Sequence, residues 1–272
     1  MTQPRTVFCV SDHTGLTSEA FAHSLISRFE DVSAAYLVRP FVDTPEKAAA
    51  VVSEIDEAAA SQARPIVFCT FSDPDLQEVL QRSEGLVVGL FDYWVDRIST
   101  ELGLAPSSRV SHYHGVGDAT RYQLRLDAVD FSLTTDDGLG ADQYGRADII
   151  LIGVSRVGKT PTCLYMSMHY GIRAANYPIS VEEHPAPSLP ESLEPYRDRL
   201  YGLTIEPRRL HAIRTVRRPD SLYASLEACR RDLAHAERIF RAEGIPHLDT
   251  TTRSIEEITA TVLEEAPLTR RV

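Results

Sequence analysis

The chain lacks several features that mark secreted, membrane-bound or disulfide-stabilised proteins. No segment approaches the roughly 18 consecutive apolar residues of a membrane-spanning helix. The first apolar stretch is interrupted by Ser11 and Asp12 before it could act as a signal peptide. The four cysteines are scattered and show no C-x-x-C spacing. We therefore expect a soluble, cytoplasmic protein whose thiols are reduced and packed as small apolar groups.

Positive charge is also scarce. Lys and Arg together number 28 against 39 Asp and Glu, which gives a formal net charge of −11. A negatively charged surface repels the phosphate backbone of nucleic acids, and the sequence has no basic stripe with interleaved aromatic residues that could bind one. We predict no nucleic-acid partner and no membrane partner. The sequence leaves open a homo-oligomer.

The length of 272 residues, with a hydrophobic fraction of 43%, is enough for one large or two modest domains. In the first part, short β-rich runs alternate with helical patterns, and Thr44 followed by Pro45 forms a helix start. This alternation predicts a parallel sheet with helical crossovers, an α/β domain over residues 1–105. The runs read as strands are TVFCV, AAYLVRP, PIVFCTF and LVVGLFD.

The middle of the chain interrupts this alternation. Residues 105–117 are rich in turn formers, and a following helical pattern ends at Asp136-Asp137-Gly138. We assign 106–140 to a linker and connecting helix, and 141–272 to a second α/β domain with a kinase-like phosphate-binding loop. In that domain we expect a helix from about Thr160 to Tyr170 and a long amphipathic helix that has Leu222 to Phe240 along one face and is closed by Gly244. We also expect a strand near IPHLDT and a last helix that begins with a Ser254-x-x-Glu257 capping box.

The strongest chemical motif is G-x-x-x-x-G-K-T, preceded by a predicted strand and followed by a predicted helix. Its glycines let backbone N–H groups converge on phosphate oxygens, and the helix dipole adds to the attraction. Lys159 would neutralise the terminal phosphates and Thr160 would ligate Mg²⁺. No N-K-x-D tetrapeptide is present, which disfavours a GTPase. The predicted nucleotide site comprises Gly153, Val154, Ser155, Arg156, Val157, Gly158, Lys159 and Thr160.

Three further groups are candidates for chemistry. The adjacent carboxylates of Asp136 and Asp137 could hold Mg²⁺ or accept a hydroxyl proton, although a solvated turn would have the same sequence. The segment 11–15 (SDHTG) follows the first strand, where it could hold phosphate or simply cap a helix. His112 and His114 would share one side of a strand, but no third metal ligand has convincing spacing.

The block GVSRVGKTPT followed by GIRAANYP closely resembles the bifunctional regulatory proteins of phosphoenolpyruvate synthase and pyruvate phosphate dikinase. Further segments also resemble family blocks and stand in the family order along most of the chain: SDHTGLT near the start, RLDAVDFSLTTDDG in the middle, and then YGLTIEPRRLHAIR, RRPDSLYASLEACRRDL and TTTRSIEEI. The segments AANYP, HAIR and YASL resemble the synthase branch more than the dikinase branch.

The resemblance implies two reactions on one threonine of the partner enzyme. ADP donates its β-phosphoryl group and inactivates the partner, whereas inorganic phosphate removes the group as pyrophosphate and restores activity. The family pattern implies Lys159 as an electrostatic clamp and favours Asp137 and Asp12 as base or metal residues. Asp136 and Thr160 are predicted Mg²⁺ ligands from the chemistry of their own side chains. Val157 departs from the small polar residue of many relatives. The loop alone would also fit a small-molecule kinase or NTPase, or a nucleotide sensor without turnover.

Overall fold

The computed structural model describes residues 4–61, 63–105, 119–182, 185–266 and 268. The chain divides into two compact units, residues 1–115 and 116–272. Residues 106–118 of the predicted linker and connecting helix, including His112 and His114, lie outside the described residues. The helix over 119–134, which we grouped with that linker, belongs to the second unit.

The first unit contains a four-stranded parallel sheet in the order β2-β1-β3-β4. Its strands are β1 (Arg5–Ser11), β2 (Ala34–Arg39), β3 (Ile66–Thr70) and β4 (Leu86–Gly89). Its helices are α1 (Leu16–Ile26), α2 (Pro45–Ser61), α3 (Pro74–Leu80) and α4 (Asp92–Leu102).

The central strand of this sheet is buried on both faces. Val7 and Cys9 of β1 pack in one apolar cluster with Ala22 of α1, whereas Phe8 and Val10 pack in another cluster with residues of α2 and α3. Successive side chains of a strand point to opposite faces, so a strand covered on both sides must be apolar throughout. This explains why the residues from Val7 to Val10 form a continuous apolar run.

The second unit has a second four-stranded parallel sheet, in the order β6-β5-β7-β8. Its strands are β5 (Ile149–Gly153), β6 (Ala174–Pro178), β7 (Leu200–Thr204) and β8 (His247–Asp249). Its helices are α5 (Ala119–Thr134), α6 (Lys159–Tyr170), α7 (Pro207–Arg217), α8 (Leu226–Glu243) and α9 (Ile255–Glu265). In each unit, therefore, the first strand lies between the second and the third.

The predicted fold class, two α/β domains with parallel sheets, is confirmed. The capping box at Ser254 and Glu257 is present, and Gly171 ends α6 in the left-handed conformation with φ of 63°. None of the helices in the described part of the chain is long and apolar enough to cross a membrane.

One helix boundary is wrong. The predicted helix from Leu222 instead begins at Leu226, after a short 3₁₀ turn over Leu222–Ala224. The reason is local, because the hydroxyl of Ser225 accepts a hydrogen bond from the N–H of Ala228 at 3.2 Å and so starts α8 there.

Candidate functional site

The G-x-x-x-x-G-K-T loop connects β5 to α6, which is the structural context that the motif requires. Val154 and Val157 are buried, and the hydroxyl of Thr250 donates to the carbonyl oxygen of Val157 at 3.1 Å. Gly158, with φ of 99°, precedes the first residue of α6. The buried side chains of Val154 and Val157 thus anchor the loop in the core. The backbone of residues 154–158 turns between β5 and α6, and we call this turn the curl.

Gly153 is the position in this loop with the least room. A Cβ atom there would lie 2.4 Å from the carbonyl oxygen of Leu203 on β7. We expect Gly153→Ala to destabilise the protein by about 3 kcal/mol or more, because backbone atoms would have to move. Urea unfolding measures the effect.

Gly244 provides a matched control in the same unit. It has φ of +64° and open space where a Cβ would lie. Gly244→Ala should therefore cost only about 1 kcal/mol, the penalty of a left-handed alanine. Equal losses for the two variants would show that the contact between Gly153 and β7 is not tight.

Lys159 is the first residue of α6 and is almost completely buried, with 5% of its surface exposed. Its Nζ donates to the carbonyl oxygen of Val154 at 3.0 Å, so the side chain curls back over the loop. Burial lowers the pKa of Lys159 to about 8, and the nearby negative charges of Asp137 and Asp136 oppose that change. The ammonium of Lys159 is thus shielded from water and lies near the carboxylates of Asp136 and Asp137.

Asp136 connects the loop to β6. One of its carboxylate oxygens, Oδ1, accepts from the Thr160 hydroxyl at 2.7 Å and from Nδ2 of Asn176 at 2.5 Å. The side-chain oxygen of Asn176 in turn accepts from the backbone N–H of Asp137 at 3.1 Å. The buried amide of Asn176 therefore holds both residues of the Asp136-Asp137 turn against the start of α6.

Asp137 has a backbone conformation that is uncommon for aspartate. Its φ and ψ are 54° and 40°, in the left-handed region, within the 3₁₀ turn Asp136–Gly138. Its side chain is exposed, in contrast to the half-buried Asp136. The turn thus separates the two carboxylates into an inner group bonded to Thr160 and an outer group directed to solvent.

Asn176 was missed as a site residue by sequence reasoning. A signal was available, because Asn176 is the polar residue in an otherwise apolar strand, AANYP, and a buried amide in such a strand needs partners. The identity of those partners depends on contacts across the fold.

Hard oxygen ligands at this position fit Mg²⁺. The Thr160 hydroxyl and the second carboxylate oxygen of Asp136 are of the kind that this ion prefers, and phosphate and water would supply its other ligands. Among the described residues, no group of three or more His, Cys, Asp and Glu side chains could hold a metal alone. This is the donor set expected for an ion that enters together with a phosphorylated ligand.

The segment 11–15, which contains Asp12, lies in the first unit. The Asp12 carboxylate accepts from the backbone N–H of Ser72 at 2.8 Å and contacts Nδ1 of His13 at 2.9 Å. The hydrogen bond from Ser72 joins the ends of β1 and β3 beside a cavity of about 370 Å³. A catalytic role for Asp12 stays a prediction.

Comparisons with known proteins agree with the sequence blocks. A protein from Halorhodospira halophila is 47% identical with full coverage of both chains, and one from Deinococcus radiodurans is 46% identical over 96% of this chain and 94% of the relative. A Neisseria meningitidis protein is 42% identical, again over both full lengths. All three are named, provisionally, as phosphoenolpyruvate synthase regulatory proteins.

The model of the kinase/pyrophosphorylase family matches residues 7–263, which include both sheets except the first two residues of β1, and the loop between β5 and α6. With full-length relatives above 40% identity as well, the chain belongs to the kinase/pyrophosphorylase family.

Proposed function

We propose that the protein regulates phosphoenolpyruvate synthase by phosphorylating one of its threonines with ADP and by removing that phosphate with inorganic phosphate. The observation that carries the proposal is the network joining Thr160, Asp136, Asn176 and Asp137 beside the buried Lys159. The names of the relatives support the synthase as the partner. The family supports a kinase or phosphotransferase.

In the kinase direction, the loop amides and Lys159 would hold the diphosphate of ADP. The exposed carboxylate of Asp137 would accept the proton of the threonine hydroxyl. The threonine oxygen then bonds to the β-phosphorus, and the bond to the bridging oxygen breaks to release AMP. Thr160 and Asp136 would hold Mg²⁺, whose positive charge would offset the negative charge of the phosphates.

In the opposite direction, inorganic phosphate would occupy the same cradle. One of its oxygens bonds to the phosphorus of the phosphothreonine, and the bond from phosphorus to the threonine oxygen breaks. Asp137 in its protonated form supplies the proton to that oxygen, and pyrophosphate leaves. One anion site serves both reactions because each transfers a phosphoryl group between two oxygen atoms.

The test is incubation with ADP, Mg²⁺ and purified phosphoenolpyruvate synthase. We expect phosphate on a single threonine, formation of AMP and loss of synthase activity. Addition of inorganic phosphate should then release pyrophosphate and restore activity. Pyruvate phosphate dikinase is the comparison substrate. Labelling of neither enzyme, or nucleotide turnover without any protein partner, would contradict the proposal.

A further inference from the structure

A buried arginine lies behind the phosphate-binding loop, in a segment that the proposed reaction does not use. Arg214 of α7 is 1% exposed, and its Nη1 forms an ion pair with Asp232 of α8 at 2.8 Å. Its guanidinium carbon lies 4.1 Å from the centre of the Tyr223 ring, and Nη1 also donates to the Tyr223 carbonyl oxygen at 3.1 Å. Arg214 thus fixes both the ring and the backbone of Tyr223.

Both of these residues reach the loop at the same point. Nη2 of Arg214 donates to the carbonyl oxygen of Ser155 at 3.4 Å, and the Tyr223 hydroxyl donates to the Ser155 hydroxyl oxygen at 2.9 Å. The backbone and the side chain of Ser155 are therefore each held from behind. Such double attachment restricts the rotation of the peptide groups on either side of Ser155.

The next residue shows why this restraint is needed. Arg156 has φ of +80°, which places a non-glycine residue in the sparsely populated left-handed region. A short loop with such a residue tends to relax unless its neighbours are fixed. The curl that presents the loop amides therefore depends on the attachment of Ser155.

We propose that Arg214 and Tyr223 form a clamp that fixes Ser155 and thereby sets the affinity of the loop for the diphosphate of ADP and for inorganic phosphate. The clamp residues are positioning residues, since they act through Ser155. This inference rests on the proposed function in that it takes ADP and phosphate as the ligands.

The test is a double-mutant cycle between Tyr223→Phe and Ser155→Ala. Tyr223→Phe keeps the ring beneath Arg214 and removes the hydroxyl that holds Ser155. We expect the KM for ADP and the KM for phosphate to rise about five-fold, the value of one hydrogen bond, with kcat changed less than two-fold. Ser155→Ala should have a similar effect, and the double variant should be no worse than either single variant.

Tyr201→Phe is the matched control. Tyr201 is another buried tyrosine of the second unit, and its hydroxyl donates to the Glu265 carboxylate, away from the loop. This variant should leave both KM values unchanged. Arg214→Lys, if it folds, should raise KM more than Tyr223→Phe, because lysine cannot contact Ser155, Tyr223 and Asp232 together.

Calorimetric titration with ADP, in the absence of the synthase, separates this inference from the proposed function. If wild-type protein binds ADP but does not phosphorylate the synthase, the proposed function fails and the clamp is still measured. The proposed role of the clamp is overturned if Tyr223→Phe binds ADP as tightly as wild type does, or if the effects of Tyr223→Phe and Ser155→Ala on KM simply add. It is also overturned if Tyr201→Phe weakens ADP binding as much as Tyr223→Phe does.

Discussion

Asp137→Asn is expected to slow phosphoryl transfer in both directions by about 10²–10⁴-fold, the contribution of a general acid or base. Asparagine is nearly the same size as aspartate and tolerates the left-handed conformation that residue 137 adopts, so the turn should persist. The amide cannot accept the threonine proton. Binding of ADP should change less than two-fold, because the loop and Lys159 remain intact.

Two comparisons make this prediction specific. Asp142→Asn removes an exposed carboxylate from the neighbouring 3₁₀ turn and should leave both rates unchanged. Asp136→Asn should instead raise the Mg²⁺ concentration needed for activity, since Asp136 contacts Thr160. The rates are measured with purified synthase by release of AMP and of pyrophosphate. Full activity of Asp137→Asn in either direction would remove Asp137 as the group that moves the proton.

Lys159→Met should have the second large effect, with opposite consequences for activity and stability. Removal of the ammonium should reduce phosphoryl transfer by about 10²–10³-fold or more, as expected when a preorganised group no longer stabilises the transferred charge. The same change should stabilise the protein without ligand at pH 7 by about 2–3 kcal/mol. The reason is that the pKa of Lys159 falls from 10.5 to about 8 on burial, so the charged form opposes folding.

The stability difference between Lys159→Met and the wild-type protein should depend on pH in one direction. Between pH 8 and 10.5 the unfolded chain still binds a proton at Lys159 that the folded protein has lost, so the wild-type contribution to stability rises with pH. The advantage of Lys159→Met should therefore shrink across this window. Denaturant unfolding of both proteins at a series of pH values measures the difference. A constant difference would show that the ammonium is not desolvated.

Lys47→Met is the control for loss of a lysine. Lys47 is exposed and pairs with Asp43 on the surface of the first unit, so its removal should change neither stability nor activity appreciably.

Saturating ADP should make the wild-type protein more stable than Lys159→Met, which reverses their order without ligand, because a ligand stabilises only the protein that binds it. Wild-type protein should then gain stability while Lys159→Met does not.

Local patterns explain which parts of the fold could be predicted. Strands such as β1 and β5 contain continuous apolar runs. Gly171 caps the end of α6 and Ser254 caps the start of α9, so both helix boundaries are visible in the sequence. The parallel sheets follow from the alternation of strands and helices. In contrast, β6, β7 and α7 were recognised only as family blocks, because their short or mixed patterns resemble loops.

The loop was predictable because its chemistry is contained in adjacent residues, but the groups that hold it were not. Asn176 forms a hydrogen bond with Asp136 although the two are 40 residues apart in the sequence. Arg214 and Tyr223 contact Ser155 across sequence separations of 59 and 68 residues. No periodicity links such pairs, since only the order of strands brings them together. Sequence reasoning therefore identified the residues expected to bind phosphate and missed those that set their geometry.

The two sheets also have a consequence for how the chain emerges from the ribosome. All strands of the first sheet lie between Arg5 and Gly89, and all strands of the second lie between Ile149 and Asp249, so no strand of one is inserted into the other. The first sheet can complete its pairing before the second begins to be synthesised. The two sheets can therefore form one after the other during translation, each from strands and crossover helices of its own part of the chain.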